Sequence, residues 1–535
     1  MSSVLARRGP AAIALAGLAI GALAAPTLAA PSDTGPSSSQ SPYVLPVAAG
    51  VRFQSVLTAH DVVPRPGAAP GTPFTFAGIP DGMGAFDNYD GTYTELVNHE
   101  IGSTLGIDRS TVGGGTKKGA FVSRLIVDKR TNKVLSGSDL DKTVVLAPGD
   151  TVLDMNRFCS ADLPKLSAFF DPTTLKGTLA RIFMNGEEGG LGRSFAHVVT
   201  GPYAGTSYEL PRLGKQAWEN ARANPAMGDK TLVALNDDTT PSATAAGNVF
   251  MYMGTKTRSG TPVDKAGLTN GNLFVMKVDG VTAEDRANAL GSGSPNFSGT
   301  VSFADLGDVS NLSMAQLEAL AVAQGTSMLR PEDGVWDPQD PNVYYFVTTD
   351  RYDQAKDAAG SQVGRTRLWK VQLNDRRDLA AGGTITALLD GSEPVQMLDN
   401  VTADGEGHLV LLEDVGGNAH NGKIWKYDLA TDALTLVGKH DPARFGDIGV
   451  APTAPFNNDE ETSGVIPVFG ILGRGWYLID DQAHNATGPR VDAETVEDGQ
   501  LLAMYIPPTG RAALPVPLDL QLEILAGFDV LLTLF

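Results

Sequence analysis

Short apolar runs alternate with polar residues along most of the chain, and each run ends in Gly, Asn or Asp. Representative runs are "NVFMYMGTK" and "NLFVMKVDG", and later "HLVLLEDVGG" followed by "KIWKYDLATDALTLVG". These runs are rich in β-branched and aromatic residues, which predicts strands connected by turns. A similar strand ending recurs at Lys277–Asp279, Lys370–Asn374 and Lys426–Asp428. Such a recurrence indicates repeated four-stranded units.

The strand pattern predicts an all-β fold, a β-propeller with six blades, over one domain at 46–510. A propeller gathers loops from all its blades around one axis. An array of β-sandwiches is the alternative that the same pattern allows. Two short helical insertions are expected, at 211–225 and at 313–325. In the second, Ser313 is a suitable N-cap and Gly325 a suitable stop.

The two ends of the chain differ in composition from the rest. Arg7 and Arg8 precede an apolar run and small residues, which predicts a signal peptide over 1–30, compatible with twin-arginine export. We therefore expect a periplasmic or extracellular protein. Residues 31–45 are predicted to be a disordered linker. The apolar tail, 511–535, contains three carboxylates, which argues against an integral membrane span and favours a docking segment or a tail packed on the fold.

Composition narrows the possible partners. The chain has 61 acidic and 41 basic residues and a formal charge of −20. This balance excludes nucleic acid, whose phosphates need a basic surface, and it is compatible with calcium, which prefers carboxylate oxygens. The only cysteine, Cys159, has no partner for a disulfide. We expect a monomer that acts on a small molecule.

Several predicted strands end directly in side chains that can bind metals. The stretches are "LVNHEIG", "NRFCSADLP", "RIFMNGEEGGLG", "LVALNDDTT" and "SMLRPEDG". The candidate metal ligands in them are Glu100, Cys159, Glu188, Asp238 and Glu332. Cys159 alone is equally well explained as a small buried apolar residue.

An arginine accompanies the last of these stretches. Arg330 and Glu332 are two residues apart, so they share one face of an extended segment. A guanidinium beside a metal-binding carboxylate suits an anionic substrate. On a propeller, these strand ends would meet at one mouth. Oxygen ligands suit Ca²⁺, and a thiolate with carboxylates suits iron or zinc.

The order of "NHE", a cysteine followed by "EE", "DD" after a strand, and "RPED" resembles the PhoX family of exported bacterial phosphatases. The resemblance implies a six-bladed propeller with two irons, several calciums and a bridging oxo group, which hydrolyses phosphate monoesters. It further implies that Cys159 bridges the irons, that Arg330 holds the substrate phosphate, and that the metal ligands include Glu188, Glu332, Asp238 and Glu100. The family's Gly-Thr-Pro-Trp stretch after the cysteine is absent, so this chain is expected to be a divergent member.

Two other functions remain open from the residues alone. One is a calcium-binding propeller at the cell surface without catalysis. The other is a propeller hydrolase that uses calcium alone, for lactones or phytate-like polyphosphates. The cofactors expected from the resemblance are Ca²⁺ and Fe³⁺. The chain lacks the G-x-S-x-G motif, which argues against a serine hydrolase.

Overall fold

The computed structural model describes residues 32–112, 115–239, 247–284, 298–349, 366–509 and 522–523. Nearly all regular structure in these ranges is β-strand, arranged in five large sheets that we name A to E. The prediction of an all-β fold is therefore confirmed. The segment predicted as a signal peptide lies outside the described residues, as does most of the tail. Within the tail, Leu522 is buried and Glu523 forms an ion pair with Arg181.

Sheets A and B each contain four strands. Sheet A is an antiparallel meander of Pro80–Asp87, Thr92–His99, Phe121–Asp128 and Val134–Asp139. Sheet B contains Ile182–Gly186, Ser194–Val198 and Thr206–Glu209, with Thr143–Val145 added in parallel at its edge.

Sheet C has nine strands and consists of two antiparallel halves. The first half contains Arg222–Ala223, Lys230–Asn236, Val249–Thr255, Asn272–Val278 and Ser298–Gly307. The second half contains Pro331–Trp336, Val343–Thr348, Arg367–Leu373 and Gly383–Leu389. The halves are joined at their outer edges, where the last strand of each pairs with the other.

Sheets D and E each combine strands from distant parts of the chain. Sheet D contains Leu398–Ala403, His408–Glu413, Lys423–Asp428, Ala433–His440 and Val44–Pro46. Sheet E contains Glu460–Pro467, Trp476–Ala483, Asp498–Tyr505, Arg52–Thr58 and Ser32–Thr34. The pairing of Arg52–Thr58 with Asp498–Tyr505 joins the two ends of the fold.

The prediction of a disordered linker at 31–45 is wrong from residue 32 onward. This segment contributes a parallel strand to sheet E and the start of an antiparallel strand to sheet D. Between these strands, Tyr43 is fully buried and stacks edge-on against Phe445 and Phe456. The small polar residues of the segment therefore follow the surface of the fold between two anchored strands.

Helices are short and lie between strands. The α-helices are Pro262–Lys265, Met314–Gln324, Pro442–Phe445 and Phe469–Leu472, and the 3-10 turns are Leu166–Ala168, Pro211–Leu213 and Leu379–Ala381. Two-residue hairpin strands are Val62–Val63 with Phe74–Thr75, Arg109–Ser110 with Thr116–Lys117, and Phe170–Asp171 with Lys176–Gly177. Among the described residues, no helix is long and apolar enough to cross a membrane.

One of the two predicted helices is confirmed and one is wrong. Met314–Gln324 is a helix, and the Ser313 side chain accepts a hydrogen bond from the backbone at its start. The predicted helix at 211–225 is only one 3-10 turn, because Gly214 leaves it at a positive φ of 84°. Beyond that turn the chain is extended, and the Glu219 amide donates to the Asn236 carbonyl at 3.0 Å.

Apolar clusters fill the spaces between neighbouring sheets in a closed order. Clusters lie between A and B, B and C, C and D, D and E, and E and A. A further cluster packs the first half of sheet C against the second. The first strands of adjacent units also contact each other: Pro331–Trp336 contacts Leu398–Ala403, which contacts Glu460–Pro467, which contacts Pro80–Asp87. The sheets thus surround a central axis in a propeller-like arrangement.

Candidate metal and phosphate site

At one end of the central axis, the sheets enclose a small cavity of about 40 Å³. Eight of its lining residues are acidic, and two arginines and one cysteine complete the lining. The lining residues are Glu100, Arg157, Cys159, Glu188, Glu219, Asp238, Arg330, Glu332, Asp399, Asp414 and Glu461. All six candidate residues from the sequence are in this set. The structure therefore brings Glu100, Cys159, Glu188, Asp238, Arg330 and Glu332 together from positions up to 232 residues apart in the chain.

Two positions within the repeated units supply all the acidic residues of the cavity lining except Glu219. One position is the start of the first strand, in or just before a β-bulge that interrupts pairing with the second strand; it holds Asp81, Glu332, Asp399 and Glu461. The other position is just after the second strand; it holds Glu100, Glu188, Asp238 and Asp414. Because paired strands are antiparallel, the start of one meets the end of the other at the same edge. A β-bulge re-aims side chains there.

Cys159 occupies the first position of the unit in sheet B. Its flanking residues Phe158 and Asp162 form single bridges to Glu187 and Met184. The thiol Sγ donates to Asp81 Oδ2 at 3.4 Å. One ligand atom from each of Asp81, Glu100 and Cys159 lies within 4.8 Å of the others, and all three residues are buried.

A glycine allows this close approach of two strands. A Cβ at Gly82 would lie 2.1 Å from the main-chain nitrogen of Ala161, far inside contact distance. Only glycine therefore lets the strand Pro80–Asp87 pack directly on the segment that carries Cys159. From the next strand of the same sheet, Asn98 Nδ2 donates to the Cys159 carbonyl at 2.6 Å. Two strands of sheet A thus hold the segment that carries Cys159.

Burial and mutual repulsion dominate the electrostatics of the cavity. Burial raises the pKa of Glu219 to about 8. Burial, with neighbouring carboxylates, also raises the pKa values of Glu188, Glu332 and Asp399. The pKa of the Cys159 thiol rises for the same reason, with Asp81 the strongest charged contributor. Glu219 Oε1 is buried and has no hydrogen-bond partner among the described residues.

These features fit cations. Eight acidic residues with two arginines leave a large uncompensated negative charge in a buried space, which is costly unless paired or bound to metal. A set of carboxylate oxygens is the donor chemistry of Ca²⁺, and the added thiol suits a softer metal such as iron. The residues present therefore fit the metals that the sequence resemblance implies.

Two arginines line the cavity, and each pairs with a different set of acidic residues. Arg330 binds Asp238 in a bidentate pair, with Nε–Oδ1 of 2.7 Å and Nη2–Oδ2 of 2.6 Å, and its Nη2 lies 2.9 Å from Glu332 Oε1. Arg157 bridges Glu100 and Glu188, and its Nη2 lies 2.5 Å and 2.6 Å from their oxygens. Burial pushes the pKa of Glu100 upward, but Arg157 and Gln482 outweigh it and hold that pKa below the usual range.

Neighbours in the same motifs do not reach the cavity. Glu187 pairs with Arg193 at 2.7 Å, and Asp237 accepts from Thr239 at 2.7 Å. Side chains alternate along an extended segment, so only the second acid of "EE" and of "DD" faces the cavity. His99 hydrogen-bonds Gly78 and Ser123, and burial lowers its pKa to about 3. It is a structural residue.

Five acidic residues around the cavity were not among the candidate ligands from the sequence: Asp81, Glu219, Asp399, Asp414 and Glu461. Asp81 follows Pro80 and precedes Gly82, much as Glu332 follows Pro331 two residues before Gly334. That shared proline–acid–glycine pattern was a usable signal. Glu219 was hidden by the wrong helix prediction at 211–225. For Glu461, within "NNDEET", the sequence shows no feature that separates it from its neighbour Glu460.

The comparisons with solved structures show the fold. The structure of Pseudomonas fluorescens PhoX in complex with vanadate, a transition state analogue, matches with a TM-score of 0.56 and 14% sequence identity, over 90% of this chain and 98% of PhoX. This chain has a PhoX-like fold. The fold resemblance predicted from the sequence motifs is thereby confirmed.

Other matches are more distant than the PhoX match. TolB from Agrobacterium tumefaciens has a TM-score of 0.22 and 10% identity, over 52% of this chain and 82% of its own. Oligopeptidase B from Trypanosoma brucei with covalently bound antipain has a TM-score of 0.27 and 9% identity, over 79% of this chain and 49% of its own. No protein-family profile and no curated protein sequence matches the chain.

Proposed function

We propose that this chain is an exported, metal-dependent phosphatase that hydrolyses phosphate monoesters at a calcium and iron cluster in the cavity. The observation that carries the proposal is that Cys159, Arg330 and eight acidic residues line one cavity of a PhoX-like fold, with Cys159 and seven of the acids buried. The PhoX structure of that fold contains vanadate, a transition state analogue. An arginine fork beside acidic residues suits recognition of a phosphoryl group.

In this proposal, the side chains around the cavity bind either the metals or the substrate phosphate. Bound cations would supply the positive charge that neutralises phosphoryl oxygens in the transition state. The residues that would hold them are Glu100, Cys159, Glu188, Asp238 and Glu332. Arg330, whose fork now faces Asp238 and Glu332, would bind and orient the phosphoryl oxygens. Gln482 donates to Glu100 at 2.8 Å and to Asp81 at 3.1 Å, which fixes both carboxylates.

The proposal includes the architecture. Sheets A, B, D and E would each be one blade and sheet C two, because its halves meet only at their outer strands. The single domain over 46–510 would then have six blades. We further propose that the protein acts as a monomer after export to the periplasm or the medium. Size-exclusion chromatography with light scattering and N-terminal sequencing of the exported protein test these two points.

A calcium-only hydrolase for lactones or phytate-like substrates is the second candidate. One observation favours it: the Cys159 thiol donates a hydrogen bond to Asp81 Oδ2 at 3.4 Å, which is the role of a protonated thiol and not of a thiolate ligand. In that case the carboxylates would bind calcium while the thiol remains a hydrogen-bond donor. A calcium-binding protein without catalysis would show the same metal content and no turnover.

One experiment separates these functions. The full chain is expressed with its export segment, and iron, calcium and p-nitrophenyl phosphate hydrolysis are measured for the wild type and Cys159→Ala. We expect iron and calcium in the wild type, and loss of iron with at least a ~100-fold lower rate in the variant. Calcium without iron, and an unchanged rate in the variant, would support the calcium-only hydrolase. A metal-loaded wild type that hydrolyses neither p-nitrophenyl phosphate nor phytate nor a lactone would refute both enzymes.

A further inference from the structure

Arg157 has the same arrangement as Arg330 in the lining of the cavity. Each guanidinium bridges two acidic side chains: Glu100 and Glu188 for Arg157, and Asp238 and Glu332 for Arg330. Four of the five proposed metal ligands are therefore held by the two arginines. No sequence motif singled out Arg157 as a substrate-binding residue.

The backbone of both arginines is strained. Arg157 has a φ of 32° and Arg330 a φ of 56°, in the left-handed region that residues other than glycine rarely adopt. Strain of this kind persists where the surrounding structure imposes it, and it concentrates at functional sites. The amide of Arg157 donates to the Ile101 carbonyl at 3.1 Å, and its carbonyl accepts from the Glu188 amide at 2.9 Å. The main chain thus fixes the direction of the Arg157 side chain.

Exposure distinguishes the two arginines. The side chain of Arg157 is 49% exposed and that of Arg330 is 11% exposed. Arg330 therefore lies deep in the cavity, whereas Arg157 extends from the buried Glu100 to the open mouth. A dianion entering from solvent would reach Arg157 first. Cations that bind Glu100 and Glu188 would compete with Arg157 for the carboxylate oxygens. The guanidinium N–H groups of Arg157 would then become available to a ligand.

We infer that Arg157 is a second phosphate-binding residue, which captures the phosphate dianion at the mouth and holds it together with Arg330. The inference rests on the proposed function and adds a residue to it. The planar guanidinium of Arg157 can bind two phosphate oxygens in a bidentate fork, whereas a lysine ammonium acts as a point charge. Because Arg157 is the outer residue, its loss should weaken substrate binding more than it slows the chemical step.

The test uses metal-loaded wild type, Arg157→Ala and Arg157→Lys, with Arg377→Ala as the matched control. Arg377 is similarly exposed and pairs with Asp229 at 3.2 Å, outside the cavity. The dissociation constant of inorganic phosphate, KM and kcat for p-nitrophenyl phosphate, and metal content are measured. For Arg157→Ala we expect a ~10–100-fold rise in KM and in the phosphate dissociation constant, with unchanged metal content and kcat within about threefold. Arg157→Lys should fall between, and Arg377→Ala should match the wild type.

Two results would overturn the inference. One is unchanged phosphate affinity and KM in Arg157→Ala. The other is loss of bound metal in that variant, which would make Arg157 a residue that only supports the carboxylates. If the wild type binds phosphate but does not hydrolyse the ester, the proposed function fails, while the phosphate affinities still decide the role of Arg157.

Discussion

The two ends of the central axis differ sharply although the same strands line them. At one end is the acidic cavity of about 40 Å³. At the other is an axial channel of about 230 Å³, lined mainly by apolar side chains. The channel is lined by Met83, Gly84, Ala85, Asp162, Leu163, Pro164, Lys165, Arg222, Ala223, Pro225, Val335, Trp336, Pro338, Thr402, Ala403, Ile466 and Pro467. The larger of the two spaces is therefore the less charged one.

The difference follows from position along each first strand. In the strand Leu398–Ala403, Asp399 faces the cavity and Thr402 and Ala403 face the channel. In the strand Pro331–Trp336, Glu332 likewise faces the cavity and Trp336 faces the channel. The β-bulge lies at the acidic end in both strands. Irregular strand pairing and uncompensated negative charge thus coincide at one end of the axis. Both features lower the stability of a fold, and both are typical of functional sites.

The largest contrast is expected from removing one charge at the cavity end. Glu332→Gln keeps the size of the side chain but removes a buried carboxylate whose pKa is raised by burial. We expect the phosphatase rate to fall by about 100-fold or more, while the metal-free protein remains at least as stable as the wild type because one repelling charge is gone. Rate measurements and thermal unfolding in chelator check this. A variant that unfolds earlier without metal would show that Glu332 stabilises the fold.

The sequence predicted this cavity better than it predicted the chain that surrounds it. Strands that end in Glu188 or Asp238 were visible because apolar alternation stops abruptly at an acid. Glu219 was not visible, because its segment has helix-forming residues and only the pairing of its backbone with Asn236 makes it extended. Which acid of a pair faces the axis, and the bulge that follows Glu461 and Thr462, depend on tertiary pairing that no local pattern contains.

The channel end should affect stability without affecting catalysis. Trp336 packs in the cluster between the two halves of sheet C, and its Nε1 donates to the Arg222 carbonyl at 2.9 Å. Trp336→Ala should cost about 3–5 kcal/mol of unfolding free energy, with kcat of the remaining folded enzyme unchanged. Denaturant unfolding and rate measurement below the transition check this. A large fall in kcat of the folded fraction would mean that the two ends are coupled.

Glu95 is a buried acidic residue that does not line the cavity, and it serves as a comparison for the effect of burial on a carboxylate. Glu95 lies between Tyr93 and Val97 on the face of its strand that packs on sheet E, and neither carboxylate oxygen has a hydrogen-bond partner among the described residues. Burial raises its pKa to about 8. Asp480 faces it from sheet E, and the Glu95 charge contributes to raising the pKa of Asp480.

The pH dependence of stability follows from that shift. The folded state keeps the Glu95 proton to higher pH than the unfolded state, so this stabilisation is complete below pH 4.5 and is lost as pH rises through about 8. Glu95→Gln should remove up to about 1.4 kcal/mol per pH unit from the slope in that window. Unfolding of metal-free protein across the window measures the slope. An unchanged slope would assign the proton to Asp480.

The smallest effect is expected from a matched pair on one strand, and it tests the comparison most directly. Thr402→Val, at the channel end, keeps the shape of the side chain and should change stability by no more than about 0.5 kcal/mol, with KM, kcat and metal content unchanged. Asp399→Asn, three residues earlier, is equally conservative in shape but faces the cavity. It should lower metal content or rate while leaving the metal-free fold intact. Because both residues belong to Leu398–Ala403, a defect in strand pairing would affect both variants alike. Equal losses of activity would therefore contradict a division of the axis into a functional end and a structural end.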